Sequence, residues 1–214
     1  MIKGVLFDMD GVLADSEQFI CKAAIMMFEE MGIKVEPDDF KPFVGTGENS
    51  YIGGVAGKYG VAVDIDKVKA KTYEIYKTII RGNLKPLPGA AQIVSRCRNL
   101  GLKLALATSA DRIKMEANLK EIGIPASSFD ATITGLDVIN KKPYPDIYIK
   151  AAEKLGLKAA ECLVVEDAVS GITAARRAGC RCLAVSTSFP PEMLSEADWI
   201  CDSLGNVPDE ALKW

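Results

Sequence analysis

The sequence predicts a parallel α/β sheet with helices on both faces and a helical insertion after the first strand. Three observations carry this reading. Short, near-continuous apolar runs recur along the chain, helical patterns separate them, and the alternation lapses over residues 16 to about 82. Continuous apolar strands suit a sheet buried on both faces, and strand–helix alternation suits parallel pairing.

Residues 2–7 (Ile-Lys-Gly-Val-Leu-Phe) form the first run, which breaks at the acidic turn Asp8-Met9-Asp10-Gly11. Comparable runs at 102–107, 129–134, 162–165 and 181–185, with a weaker one at 199–201, predict the remaining strands. Helical patterns cover 90–99, 112–122, 146–155 and 169–178, closed by Gly101, Gly123, Gly156 and Gly179 in the manner of C-caps. Within the insertion, 19–31, 49–59 and 65–80 read as helices with no convincing strand between them. Its entry is Ala14-Asp15-Ser16, and its exit is marked by Gly82 and Pro86-x-Pro88-Gly89. The chain therefore divides into a core of residues 1–14 and 84–214 and a helical cap of residues 15–83. Two crossings at one point make a natural hinge.

Composition narrows the chemistry. The 214 residues are 49% hydrophobic and 26% charged with a net charge of −3, which suits a globular domain and offers no attraction to nucleic acid or anionic membrane. No apolar run approaches the roughly 20 residues of a membrane span, and no signal-peptide pattern opens the chain. A cytoplasmic monomer is expected, with neither nucleic acid nor membrane as partner. There is no histidine, so Ser-His and Cys-His pairs and His-based zinc sites are excluded. Acid–base work must fall to carboxylates, Lys, Tyr or Cys. The six cysteines include no Cys-x-x-Cys and read as reduced core residues.

Open parallel sheets bind ligands beyond the carboxyl ends of their strands. Just past the predicted strands lie Asp8 and Asp10, Thr108 and Ser109, and Glu166 and Asp167, with Lys142-Pro143 in the loop after the third strand. Each could instead cap the following helix, and for Thr108 or Ser109 alone that is the better reading. For the four carboxylates together it is not, because clustered like charges are costly unless a cation neutralises them. Lys141 reads as a solvated neighbour of Lys142, while Asp111, Asp137 and Asp146 read as caps or loop residues. The stretch from Gly45 to Lys58 matches neither phosphate-loop nor dinucleotide fingerprint.

Phe7-Asp8-Met9-Asp10-Gly11-Val12-Leu13 resembles the nucleophile signature of the haloacid dehalogenase superfamily. Thr108, Lys142-Pro143 and Glu166-Asp167 with Ser170-Gly171 resemble its later motifs, in order, so that the resemblance covers essentially the whole chain. It implies a Rossmann-like core with an inserted α-helical cap, in the subgroup that includes β-phosphoglucomutase and phosphoglycolate phosphatase. It also implies roles: Asp8 as nucleophile forming an aspartyl-phosphate, Asp10 as general acid and base, and Thr108 and Lys142 on the phosphoryl group. Mg²⁺ would be held by Asp8, the Asp10 backbone carbonyl and Asp167, with Glu166 in direct contact or one step behind.

The expected activity is Mg²⁺-dependent hydrolysis of a small phosphorylated metabolite such as a sugar phosphate. β-Phosphoglucomutase is the alternative, and a non-catalytic binding module the third reading. In similar mutases an arginine for the distal phosphate stands where this chain has Glu48, which is expected to repel a second phosphate. Lys58, Lys71 and Lys77 are the insertion's candidate substitutes.

Overall fold

The computed structural model describes residues 1–214. Six parallel strands form one sheet: β1 (Gly4–Phe7), β2 (Lys103–Ala107), β3 (Ala131–Ile133), β4 (Cys162–Glu166), β5 (Arg181–Val185) and β6 (Trp199–Cys201). Their spatial order is β3-β2-β1-β4-β5-β6, the doubly wound arrangement. Phe7 stands opposite both Leu106 and Val165, so β1 lies at the centre and ends level with its neighbours. Alternate residues feed two apolar layers. Val5, Phe7, Leu104 and Leu163 pack toward α4 (Ala90–Asn99) and α5 (Arg112–Ile122), while Leu6, Ala105, Val164 and Cys182 pack toward α6 (Asp146–Leu155) and α7 (Val169–Ala178).

The third strand is shorter than its apolar run because side chains intercept the ladder at both ends. The Asp130 carboxylate accepts from Leu104 N at 2.8 Å, and the Asp137 carboxylate accepts from Thr134 N at 2.8 Å and Thr134 Oγ1 at 2.7 Å. Competition of this kind between short polar side chains and the backbone ends regular structure.

Between β1 and β2 the chain forms α1 (Glu17–Glu30), α2 (Glu48–Lys58) and α3 (Ile65–Ile80). Phe28, Phe40 and Tyr51 knit α1 to α2, with the Phe40 and Tyr51 ring centroids 4.8 Å apart. The insertion has no walled-off interior: its buried apolar residues run on into the layer that covers one sheet face. The two crossing segments pair with each other, since Leu87 N donates to Leu13 O at 3.0 Å and Ala14 bridges Pro86 in antiparallel fashion. No helix is long and apolar enough to cross a membrane.

Gly89, at the start of α4, has φ +86° and lies against the chain end, where an added Cβ would sit 2.2 Å from Gly205 N. Gly101 has φ +73° with nothing within 4 Å of that position. Gly101→Ala should therefore cost only backbone strain, roughly 1 kcal/mol. Gly89→Ala should cost roughly 3 kcal/mol or more, because backbone must move as well. Urea unfolding of the two variants checks this, and equal losses would show that the approach to Gly205 is not tight.

Candidate active site

Two charge clusters meet beyond the carboxyl ends of β1, β2 and β4. The first surrounds Lys142, whose buried Nζ lies 2.7 Å from Asp8 Oδ1 and 2.5 Å from Glu166 Oε1. Glu166 is engaged on both oxygens, since Tyr148 Oη donates to Oε1 at 2.8 Å, and Asp167 N and Ala168 N donate to Oε2 at 2.8 and 2.9 Å. Helix α7 passes so close that a Cβ on Gly171 would fall 1.7 Å from Glu166 Oε1, which explains the glycine there. Asp167 completes the group: Asp8, Glu166 and Asp167, all buried, each offer an oxygen within 4.8 Å of the others.

These groups do not share one electrostatic fate. Burial pushes the Asp8 carboxyl above its ordinary range against the pull of Lys142, with Glu166 and Asp10 adding repulsion. Burial, then Glu166 and Asp8, drives Asp167 up as well. Burial also opposes ionisation of Glu166, but Lys142 and the backbone and Tyr148 donors outweigh it and hold its pKa low. Lys142 itself stays charged, because Asp8 and Glu166 overcome its desolvation. One ammonium thus serves three buried carboxyls. A hard divalent cation fits the all-oxygen donor set and the uncompensated charge.

The second cluster surrounds Asp10, whose carboxylate lies outside the first. Ser16 Oγ and Asn118 Nδ2 donate to Oδ1, the latter at 3.1 Å, and Lys114 Nζ lies 2.9 Å from Oδ2. Lys114 also reaches Glu48 Oε1, at the start of α2, at 3.2 Å. Burial works against its charge, but Asp10 and Glu48 hold it protonated. Asn118 accepts from Tyr76 Oη of α3 at 2.6 Å. At the end of β2, Thr108 Oγ1 accepts from Ala110 N at 3.1 Å, which leaves its own hydrogen for a ligand. Ser109 Oγ is buried without a partner.

All six residues singled out in the sequence (Asp8, Asp10, Thr108, Lys142, Glu166 and Asp167) line one cavity, with Glu17, Glu48, Ser109 and Lys114 among its other walls. The space in it open to water-sized molecules is about 40 Å³, room for about three waters. Residues 5–185 match the haloacid dehalogenase-like hydrolase family. The chain belongs to that family. Hexitol phosphatase A of Escherichia coli (strain K12) is 30% identical over 96% of this chain and 93% of its own length. Protein SUPPRESSOR OF QUENCHING 1, chloroplastic, of Arabidopsis thaliana is 45% identical over 96% of this chain, which spans only 20% of that relative's length. Among solved structures, CbbY from Rhodobacter sphaeroides in complex with phosphate superimposes with a TM-score of 0.90 at 27% identity, covering all of both chains.

For this haloacid dehalogenase-like chain, one sequence reading needs correction and two need completing. Lys141 is not solvated but half-buried, donating to Ser109 O at 3.3 Å. Asp111 stands at the N-cap position of α5 without a capping bond, and pairs instead with Lys69 of α3 at 2.8 Å. Glu48 does not face the cavity as a bare charge, because Lys114 holds one of its oxygens. Lys114, Asn118, Ser16 and Tyr148 complete the site, and of these the sequence reading names only Ser16, at the entry to the insertion. A signal for two of them exists: Asp111, Lys114, Asn118 and Glu121 form a polar stripe at spacings of three and four along α5.

The raised carboxyls set a sign for stability. Asp8 and Asp167 bind more protons folded than unfolded between their ordinary pKa, about 4, and their raised native values, so stability falls as pH rises through that interval. Glu166 acts in the opposite sense, but only below about pH 4. With a chelator present, the melting temperature should drop between about pH 5 and pH 8. A melting temperature that climbs across this range would contradict the burial of uncompensated carboxyls.

Proposed function

We propose that the protein is a Mg²⁺-dependent phosphatase of small phosphorylated metabolites such as sugar phosphates, working through an aspartyl-phosphate. The observation that carries this reading is the separation of two neighbouring aspartates into different environments. Asp8 sits beside Lys142 and the carboxylate group, and Asp10 sits beside Ser16, Lys114 and Asn118. Two carboxyls in different surroundings are suited to two roles, nucleophile and proton carrier. Family membership and the 30% identical hexitol phosphatase support the hydrolase assignment.

Asp8, Asp167 and the backbone carbonyl of Asp10 would hold the metal, with Glu166 oriented behind or beside them by its four donors. When bound, Mg²⁺ supplies charge neutralisation at the phosphoryl oxygens and keeps Asp8 ionised. The Asp8 carboxylate attacks phosphorus as the ester P–O bond breaks, and Asp10 delivers its proton to the leaving oxygen. Asp10 then takes a proton from a water that attacks the same phosphorus, which releases phosphate and restores Asp8. Thr108 donates to a phosphoryl oxygen and Lys142 sets its charge against the group throughout. Ser16, Lys114 and Asn118 aim Asp10 at the leaving atom. A cavity of about 40 Å³ is too small for a sugar phosphate. The cap, residues 15–83, therefore moves away from the core, residues 1–14 and 84–214, for entry.

Asp8→Asn keeps the shape and removes the attacking charge, and turnover of a phosphomonoester panel with Mg²⁺ should fall by about 10³-fold or more. Steady-state phosphate release by folded variant and parent checks this. A variant that retained most of its turnover would end the covalent mechanism at Asp8.

A further inference from the structure

On the phosphatase reading, we infer that the cavity selects phosphomonoesters whose leaving group is a neutral, polyhydroxylated alcohol and rejects esters that carry a second phosphate or a carboxylate. The inference starts from charge. Six acidic side chains line the cavity (Asp8, Asp10, Glu17, Glu48, Glu166 and Asp167) against two ammonium groups, Lys114 and Lys142, and no arginine. Lys142 is committed to Asp8 and Glu166 at the phosphoryl end, and Lys114 is committed to Asp10 and Glu48.

The other lysines nearby are engaged or exposed. Lys58 pairs with Asp39, Lys71 with Glu30 at 3.1 Å and Lys69 with Asp111 at 2.8 Å. Lys77 is exposed, and the half-buried Lys141, whose Nζ lies beside Gly47 and Ser109 of the wall, is engaged by Ser109 O. A leaving group protonated by Asp10 extends past it toward α1 and α2, where it meets Glu17 and Glu48. An anionic tail there would face two acidic side chains, with both lining ammonium groups already committed.

The same wall is suited to hydroxyl groups. Glu48 is 4% exposed, and its Oε2 is buried with no donor, although Oε1 is held by Lys114. Ser109 Oγ, across the same cavity, is likewise buried and unpartnered. A buried carboxylate oxygen without a donor is costly, and a substrate O–H relieves that cost where an anion cannot. Glu48 is therefore a specificity residue, and Lys114 fixes its direction.

The test uses sorbitol 6-phosphate and 6-phosphogluconate, which share a six-carbon chain and a phosphate end and differ in a terminal CH₂OH against a carboxylate. The expected result is a kcat/KM preference of about tenfold or more for the sorbitol ester, and a similar preference for glucose 1-phosphate over glucose 1,6-bisphosphate. Glu48→Gln should shrink the first ratio to about threefold or less by raising KM for sorbitol 6-phosphate. Equal or inverted ratios in the parent protein overturn the inference whether or not this variant folds. p-Nitrophenyl phosphate separates the two levels: its hydrolysis without discrimination sinks only the specificity, whereas its failure sinks the phosphatase reading. Calorimetric binding of the matched pair to the Asp8→Asn protein then still gives the ratio without turnover, and equal affinities overturn the inference there too.

Discussion

The rest of the site depends on one buried ammonium, Lys142, placed among three carboxyls that the sheet brings together. Asp8 ends β1, Glu166 ends β4 and Asp167 follows it, and the parallel register of Phe7 with Val165 leaves no way to spread them apart. Removing one partner from such a buried pair leaves an uncompensated charge, which typically costs about 3–5 kcal/mol. Tyr148 and two backbone amides hold Glu166 ionised, so the surplus repulsion and desolvation fall on Asp8 and Asp167. The fold has concentrated negative charge where a cation and a phosphoryl group together would complete it.

A second ammonium links that chemistry to the insertion. Lys114 lies on α5, yet it touches Asp10 of the β1 loop and Glu48 of α2 at once, while Asn118, one turn on, touches Asp10 and Tyr76 of α3. Lys69–Asp111 and Glu121 with Gly82 N extend the same face of α5 in both directions. Docking of the helices and orientation of Asp10 therefore share side chains. Ser16, in the segment that enters the insertion, adds a third tie to the same carboxylate.

Much of this is legible in the sequence. Apolar runs bounded by polar turns located every strand, and four helices outside the insertion fall at the expected residues because their apolar faces and terminal glycines agree. Asp8, Asp10, Thr108, Lys142, Glu166 and Asp167 were legible because the ends of parallel strands bring distant residues to one rim. Lys114 was not, because a lysine in an amphipathic helix ordinarily faces water, and its burial depends on α2 and α3 covering that face. Lys141 is hidden for a similar reason, since Gly47 and Ser109, distant in sequence, close over it. Glu48 was legible as an acidic residue near the substrate, but its compensation by Lys114 arises only from the tertiary arrangement.

When ionised, Asp8 and Asp167 would carry charge that this protein's own residues cannot neutralise, so burial favours their protonated forms. Calorimetric titration of Mg²⁺ near neutral pH, repeated in buffers of different ionisation enthalpy, counts the protons released on binding. Raised carboxyls that become metal ligands release protons, so Mg²⁺ binding should show net proton release that diminishes in Asp167→Asn. Mg²⁺ binding with no proton release, or no binding by the folded parent protein, would contradict it.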